Sequence, residues 1–138
     1  MGARTSGREA ALQMLFAADA TGAGPEELAG LVHDYWRELP GDIEGRAFAD
    51  ALVRGVLGEI ALVDGIIRAA SRHWRVERMT RVDRNVLRIG VHELRTSDVP
   101  RAIVIDEAVE LAKRFGAEGS GVFVNGVLDR IADDLGKK

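Results

Sequence analysis

Seven arginines recur at gaps of three or four residues: Arg68, Arg72, Arg75, Arg78, Arg81, Arg84 and Arg88. Arginine carries a planar fork of donors that grips phosphate oxygens in pairs and stacks on flat rings. Between residues 68 and 88 only Glu77 and Asp83 oppose these seven, a local charge of +5 in a chain whose net charge is −3. The pattern points to contact with a polyanion. A plainer reading stands beside it, in which the arginines are solvated helix faces paired with the acidic remainder of the chain. At about 100° per residue, Arg68, Arg72 and Arg75 share one face of a helix while Arg81, Arg84 and Arg88 fall nearly opposite. Only a break around Arg78–Thr80 would bring both groups to one surface. Arg4 and Arg8 add a small basic patch near the N-terminus.

Other chemistry is sparse. His33, His73 and His92 lie at no metal-binding spacing. Asp106, Glu107 and Glu110 read as the acidic start of a helix, favoured by its dipole and with Lys113 nearby, rather than as a catalytic pair. There is no glycine-rich phosphate loop, and without cysteine there is no thiolate ligand, disulfide or cysteine nucleophile. The expectation is a protein without catalysis, cofactor or metal. Near the C-terminus, Asn125 and Gly126 are poor residues for a helix interior. Asn125 is expected to hydrogen-bond a neighbouring helix end, and Gly126 to permit close packing. Phe123 lies off the apolar stripe of its helix, and an exposed aromatic near arginines suits base stacking; a core position is the alternative.

These groups need elements to hold them, and the periodicity is helical almost throughout. A first helix is expected from Thr5 or Ser6, with Glu9 completing a capping box, to the break at Thr21–Gly24. Pro25 opens a second helix whose buried face is Leu28, Leu31, Val32 and Tyr35 or Trp36. After a break at Pro40–Asp42, a pattern from Ile43 to about His73 carries Gly55 and Gly58, which point to a break near Gly58 or a close helix crossing there. Thr80 starts the next helix, Ser97 or Asp98 the one after, and Ser120 the last, with Gly116 as a C-cap. Ile103-Val104-Ile105 is β-branched, yet its helical surroundings decide for helix. The fold class is all-α: six or seven helices in two packed helical subdomains. The 138 residues, 46% hydrophobic and 30% charged, suit a single domain with its own core. No run is long and apolar enough for a membrane span, and no secretory signal pattern is evident, so a cytoplasmic protein is expected.

Several segments together resemble the NusB family of bacterial transcription antitermination factors. They are Arg8-Glu9-Ala10-Ala11-Leu12-Gln13-Met14-Leu15-Phe16; Val82-Asp83-Arg84-Asn85-Val86-Leu87-Arg88-Ile89 with His92-Glu93-Leu94; Ile105 to Phe115; and Phe123-Val124-Asn125-Gly126-Val127-Leu128-Asp129. The last two, in this order and spacing, are the specific part, and the resemblance spans nearly the whole chain. It implies two small helical subdomains that bind the boxA element of nascent RNA together with NusE, a ribosomal small-subunit protein. Such a complex joins other Nus factors on RNA polymerase and supports ribosomal RNA transcription. By position, the resemblance implies RNA contacts at Arg4, Arg8, Phe123 and Asp129. This arm carries fewer basic residues than in many family members, which implies either a weaker intrinsic RNA affinity or more reliance on Arg72, Arg75 and Arg78. It implies a NusE side at Phe16, Asp83, His92 and Glu93. Phe16 stands where the family often has tyrosine, keeping the packing and losing the hydroxyl.

Two other readings compete. One is an RNA-binding accessory module of the kind fused to RNA cytosine methyltransferases, for which this chain is expected to be too short. The other is a structural helical homodimer with no RNA role, which would bury apolar surface between copies.

Overall fold

The computed structural model describes residues 2–39 and 43–138; the expected break at Pro40–Asp42 lies outside the described residues. Among the described residues there are seven α-helices, two 3-10 turns and no strand. The chain divides into two compact units, Met1–Gly58 and Glu59–Lys138.

The first unit holds α1 (Ala3–Thr21), α2 (Leu28–Glu38) and α3 (Ile43–Gly58). α1 begins at Ala3, two to three residues before the expected Thr5 or Ser6, with Gly2 as its N-cap, so Ser6 and Glu9 lie inside the helix and do not start it. It ends at Gly22, which adopts φ +73°, a left-handed conformation that glycine takes without steric cost. Pro25 sits in a 3-10 turn, Pro25–Glu27, that leads into α2, and Glu27 accepts the Gly24 N–H at 2.9 Å. Of the expected α2 face only Trp36 is buried; Leu28, Leu31, Val32 and Tyr35 are half-buried. The Trp36 indole N–H donates to Asp50 on α3 at 2.8 Å. The core is made by Leu12, Met14 and Leu15 of α1 with Leu52, Val53 and Val56 of α3. At Gly7 the α1–α3 approach is so close that a Cβ would lie 2.8 Å from Phe48 Cδ2 and 2.9 Å from the Gly45 carbonyl.

The second unit holds α4 (Ile60–Ala70), α5 (Arg81–Thr96), α6 (Arg101–Phe115) and α7 (Ser120–Leu135). The break at Gly58 is where it was expected, and α4 ends three residues short of His73. Thr80 caps α5, its Oγ1 accepting the Asp83 N–H at 3.1 Å. α5 packs against α4, α6 and α7, and Asn85–Val91 is buried throughout. Its Gly90 faces Leu128 of α7, whose Cδ1 would lie 2.7 Å from an added Cβ. Pro100, rather than Ser97 or Asp98, is the N-cap of α6, and Ile103–Ile105 is helical as expected. Gly116 ends α6. Ser120 is the first residue of α7 rather than its cap; Gly119, at φ +86°, holds that place, and Ser120 Oγ accepts the Ala117 N–H at 3.0 Å. Arg101 fastens the start of α6 to α7 and the C-terminus. Its guanidinium donates to Asp133 at 2.7 Å and to the Asp129 carbonyl at 3.0 Å, and its N–H to the Lys138 carbonyl at 3.0 Å.

Candidate nucleic-acid interface

The arginine series does not form one stripe. It divides by task. Arg88 is buried and makes a two-pronged ion pair with Asp64 of α4, both contacts at 2.8 Å, while a third donor reaches Asn85 Oδ1 at 3.0 Å. Asn85 Nδ2 in turn donates to the Arg81 carbonyl at 2.8 Å. Arg84 is half-buried and donates to the carbonyls of Val76 at 3.1 Å and Met79 at 3.4 Å. Arg68 pairs with Glu77 at 3.0 Å. The Glu77 carboxyl is held below the usual range by its own backbone N–H and then by Arg68. These three arginines brace the segment between α4 and α5.

That segment displays the others. Ser71 is buried at the end of α4, its Oγ 2.7 Å from the Ile67 carbonyl and 3.1 Å from that of Trp74. The Trp74 N–H donates to the Ser71 carbonyl at 2.8 Å, closing a turn. A 3-10 turn, Val76–Arg78, follows, pinned by the buried Val76. Arg72, Arg75, Arg78 and Arg81 are exposed and make no ion pair among the described residues. The helix is broken from Ser71 to Thr80, a span that includes the expected Arg78–Thr80, and the break leaves Arg72, Arg75 and Arg78 on a short ledge between helices, with Arg81 at the first position of α5. Of the plainer reading, the pairing with acidic groups holds for Arg68 and Arg88, while these four are solvent-exposed, as that reading also expects.

Phe123 is half-buried on α7 and meets the exposed Trp74 ring edge to face, with centroids 6.0 Å apart and planes at 77°. The cleft beside this pair holds about 370 Å³ and is bordered by Arg78, Met79, Thr80, Asp83 and Ser120. Trp74 was not singled out from the sequence; its signal was an aromatic set between Arg72 and Arg75. Asp129 is exposed and lies 3.4 Å from Arg101, so it helps fasten α6 to α7. Asn125 is exposed and Gly126 faces open space, so neither makes the helix–helix contact expected of it.

In the first unit, Arg4 and Arg8 both lie over the Phe48 ring, with guanidinium carbons 5.5 and 5.1 Å from its centroid. Arg8 is only 3% exposed, so as placed it packs within the fold rather than meeting solvent. Phe16 is 41% exposed on α1. In the second unit Asp83 is half-buried in the first turn of α5, with an Oδ1 that has no hydrogen-bond partner. His92 is half-buried, and burial pushes its imidazole below the usual value, against the opposing pull of Glu59. Glu93 is 4% exposed, so its carboxylate is not on offer at the surface.

Among the described residues the second unit sets exposed arginines beside an aromatic pair on an all-α scaffold, which places the chain among small helical proteins with a basic, aromatic-flanked surface. The sequence matches the NusB family over residues 5–133, and the chain belongs to that family. The transcription antitermination protein NusB of Sorangium cellulosum is 62% identical over 138 residues, covering 99% of this chain and 96% of that protein. The protein of the same name from Geobacter sulfurreducens is 48% identical over 139 residues, covering 100% and 99%. A crystal structure of antitermination factors NusB and NusE in complex with double-stranded RNA contains a similar chain. Its TM-score is 0.83 at 31% identity, covering 97% of this chain and 98% of that one.

Proposed function

We propose that this chain is a transcription antitermination factor that binds boxA-type single-stranded RNA together with NusE. In this reading residues 1–138 act as one functional module in the cytoplasm, joining other Nus factors on RNA polymerase and supporting read-through of ribosomal RNA operons. The observation that carries the RNA half is the ledge of exposed arginines without ion pairs, braced from beneath by Arg68, Arg84 and Arg88. Phosphates would take Arg72, Arg75, Arg78 and Arg4, and Phe123 would stack on a base. Arg8 and Asp129 would act by holding α1 and α7 in place. On the NusE side Phe16 would supply apolar contact and, in the second unit, Asp83 and His92 polar contact; Glu93, being buried, would act only through the packing of α5. The module carries no catalytic step in this account.

The assignment is tested by fluorescence anisotropy on a short boxA-like RNA at low salt, with and without NusE. Arg72→Ala and Arg75→Ala should each weaken binding several-fold and flatten the salt dependence by about 0.7 in log–log slope per lost phosphate contact. Helix content should stay as in the wild type. Unchanged affinity in both variants would overturn the placement of the RNA on this ledge.

A further inference from the structure

We infer that Trp74 is a base-stacking residue that seats one unpaired RNA base between the arginines of the ledge. The inference rests on the RNA-binding reading and adds to it a residue and a mode of contact. An indole left 62% exposed is unusual in a small protein and asks for a reason. This one is held firmly. Its backbone is closed onto Ser71 by the bonds described above, and its ring is braced edge-on by Phe123 at 6.0 Å. A planar ring fixed from behind loses little freedom when a second ring lies on it, which is what a stacking platform needs.

The surroundings choose the occupant. Trp74 borders two hollows, the cleft of about 370 Å³ shared with Phe123 and Met79, and a larger one of about 560 Å³ shared with His73 and Arg75. Arg78 lines both. An apolar side chain from a protein partner would fill an aromatic cleft too, but it would leave Arg72 and Arg78, which make no ion pair among the described residues, without counter-charge; Arg75 already lies in the field of the Glu77 carboxylate. A nucleotide satisfies both requirements, its base on the ring and its flanking phosphates on the arginines. In a duplex the bases are already stacked on one another, so the occupant is an unpaired base.

The test uses the full chain with NusE and a boxA-like RNA, single-stranded and annealed to its complement, with 2-aminopurine placed at each position in turn. Trp74→Ala should weaken single-strand binding about tenfold, leave duplex binding within twofold, and leave NusE binding unchanged. Trp74→Phe should recover most of the loss. One 2-aminopurine position should be quenched on binding the wild type and should brighten with Trp74→Ala at saturating protein. Circular dichroism and the thermal midpoint establish that both variants fold. Tight RNA binding by the wild type with no change in Trp74→Ala would overturn this inference and leave the function standing. Loss of NusE binding instead would make the cleft a protein-docking site and overturn it as well. No binding of boxA-like RNA by the wild type would overturn both.

Discussion

At the scale of single residues, an arginine's meaning depends on whether a carboxylate or carbonyl waits for it in the fold. Arg88 has Asp64, Arg84 has the Val76 carbonyl, and Arg72 and Arg75 have no ion pair among the described residues. Sequence spacing alone treats them alike, because Asp64 lies 24 residues from Arg88 and comes near only through packing. Removing one member of a largely buried pair strands the other charge, which costs about 3–5 kcal/mol. Asp64→Ala should therefore lower the unfolding free energy, measured by urea titration, by several times the change caused by Arg72→Ala, which should be about 0.5 kcal/mol or less. His92 gives a second prediction, in pH. Burial lowers its imidazole below the ordinary 6.5, so the fold favours the neutral ring. The stability this lends is full above pH 6.5 and is lost as pH falls through the lower folded value. The thermal midpoint should drop across that window, and His92→Gln should drop less. An identical pH profile in the two proteins would remove His92 from the account.

At the scale of elements, helix type and order were legible because the apolar 3–4 periodicity is strong and prolines fall only near helix starts and breaks. Helix starts were less legible. Ser6, Ser97 and Ser120 each carry a capping side chain, yet Gly2, Pro100 and Gly119 are the caps observed. A capping residue is a local preference worth about 1 kcal/mol, and the packing of whole helices outweighs it. Glycines were misjudged for a similar reason. Gly126, a candidate for close packing, faces open space, while Gly7, Gly90 and, less tightly, Gly121 lie at crossings. The two kinds part under the same substitution. Gly7→Ala places a methyl 2.9 Å from the Gly45 carbonyl, which as backbone cannot step aside, and should cost about 1–3 kcal/mol. Gly126→Ala meets nothing within 4 Å and should stabilise by about 0.5–1 kcal/mol from helix propensity alone. Thermal unfolding of the two variants in one buffer checks both signs.

At the scale of the whole molecule, a chain of net charge −3 that gathers four exposed arginines between residues 72 and 81 concentrates positive charge locally, which suits a short strand better than nucleic acid in general. The basic segment was visible in the sequence. Which of its arginines reach solvent was not, because that depends on α4 ending at Ala70 and on the turn at Ser71. The aromatic half was only partly visible, since Phe123 was read from its place off the stripe and Trp74 was passed over. Phosphate contact makes affinity fall with salt, while selectivity must come from the bases. The most direct measurement is fluorescence anisotropy of a short boxA-like RNA against a scrambled strand and a duplex, with and without purified NusE, at two salt concentrations. The account predicts preference for the boxA-like single strand, tighter binding when NusE is present, and loss of affinity at the higher salt. Equal, weak binding to all three RNAs, unchanged by NusE, would contradict it and leave the arginine ledge a solvated surface.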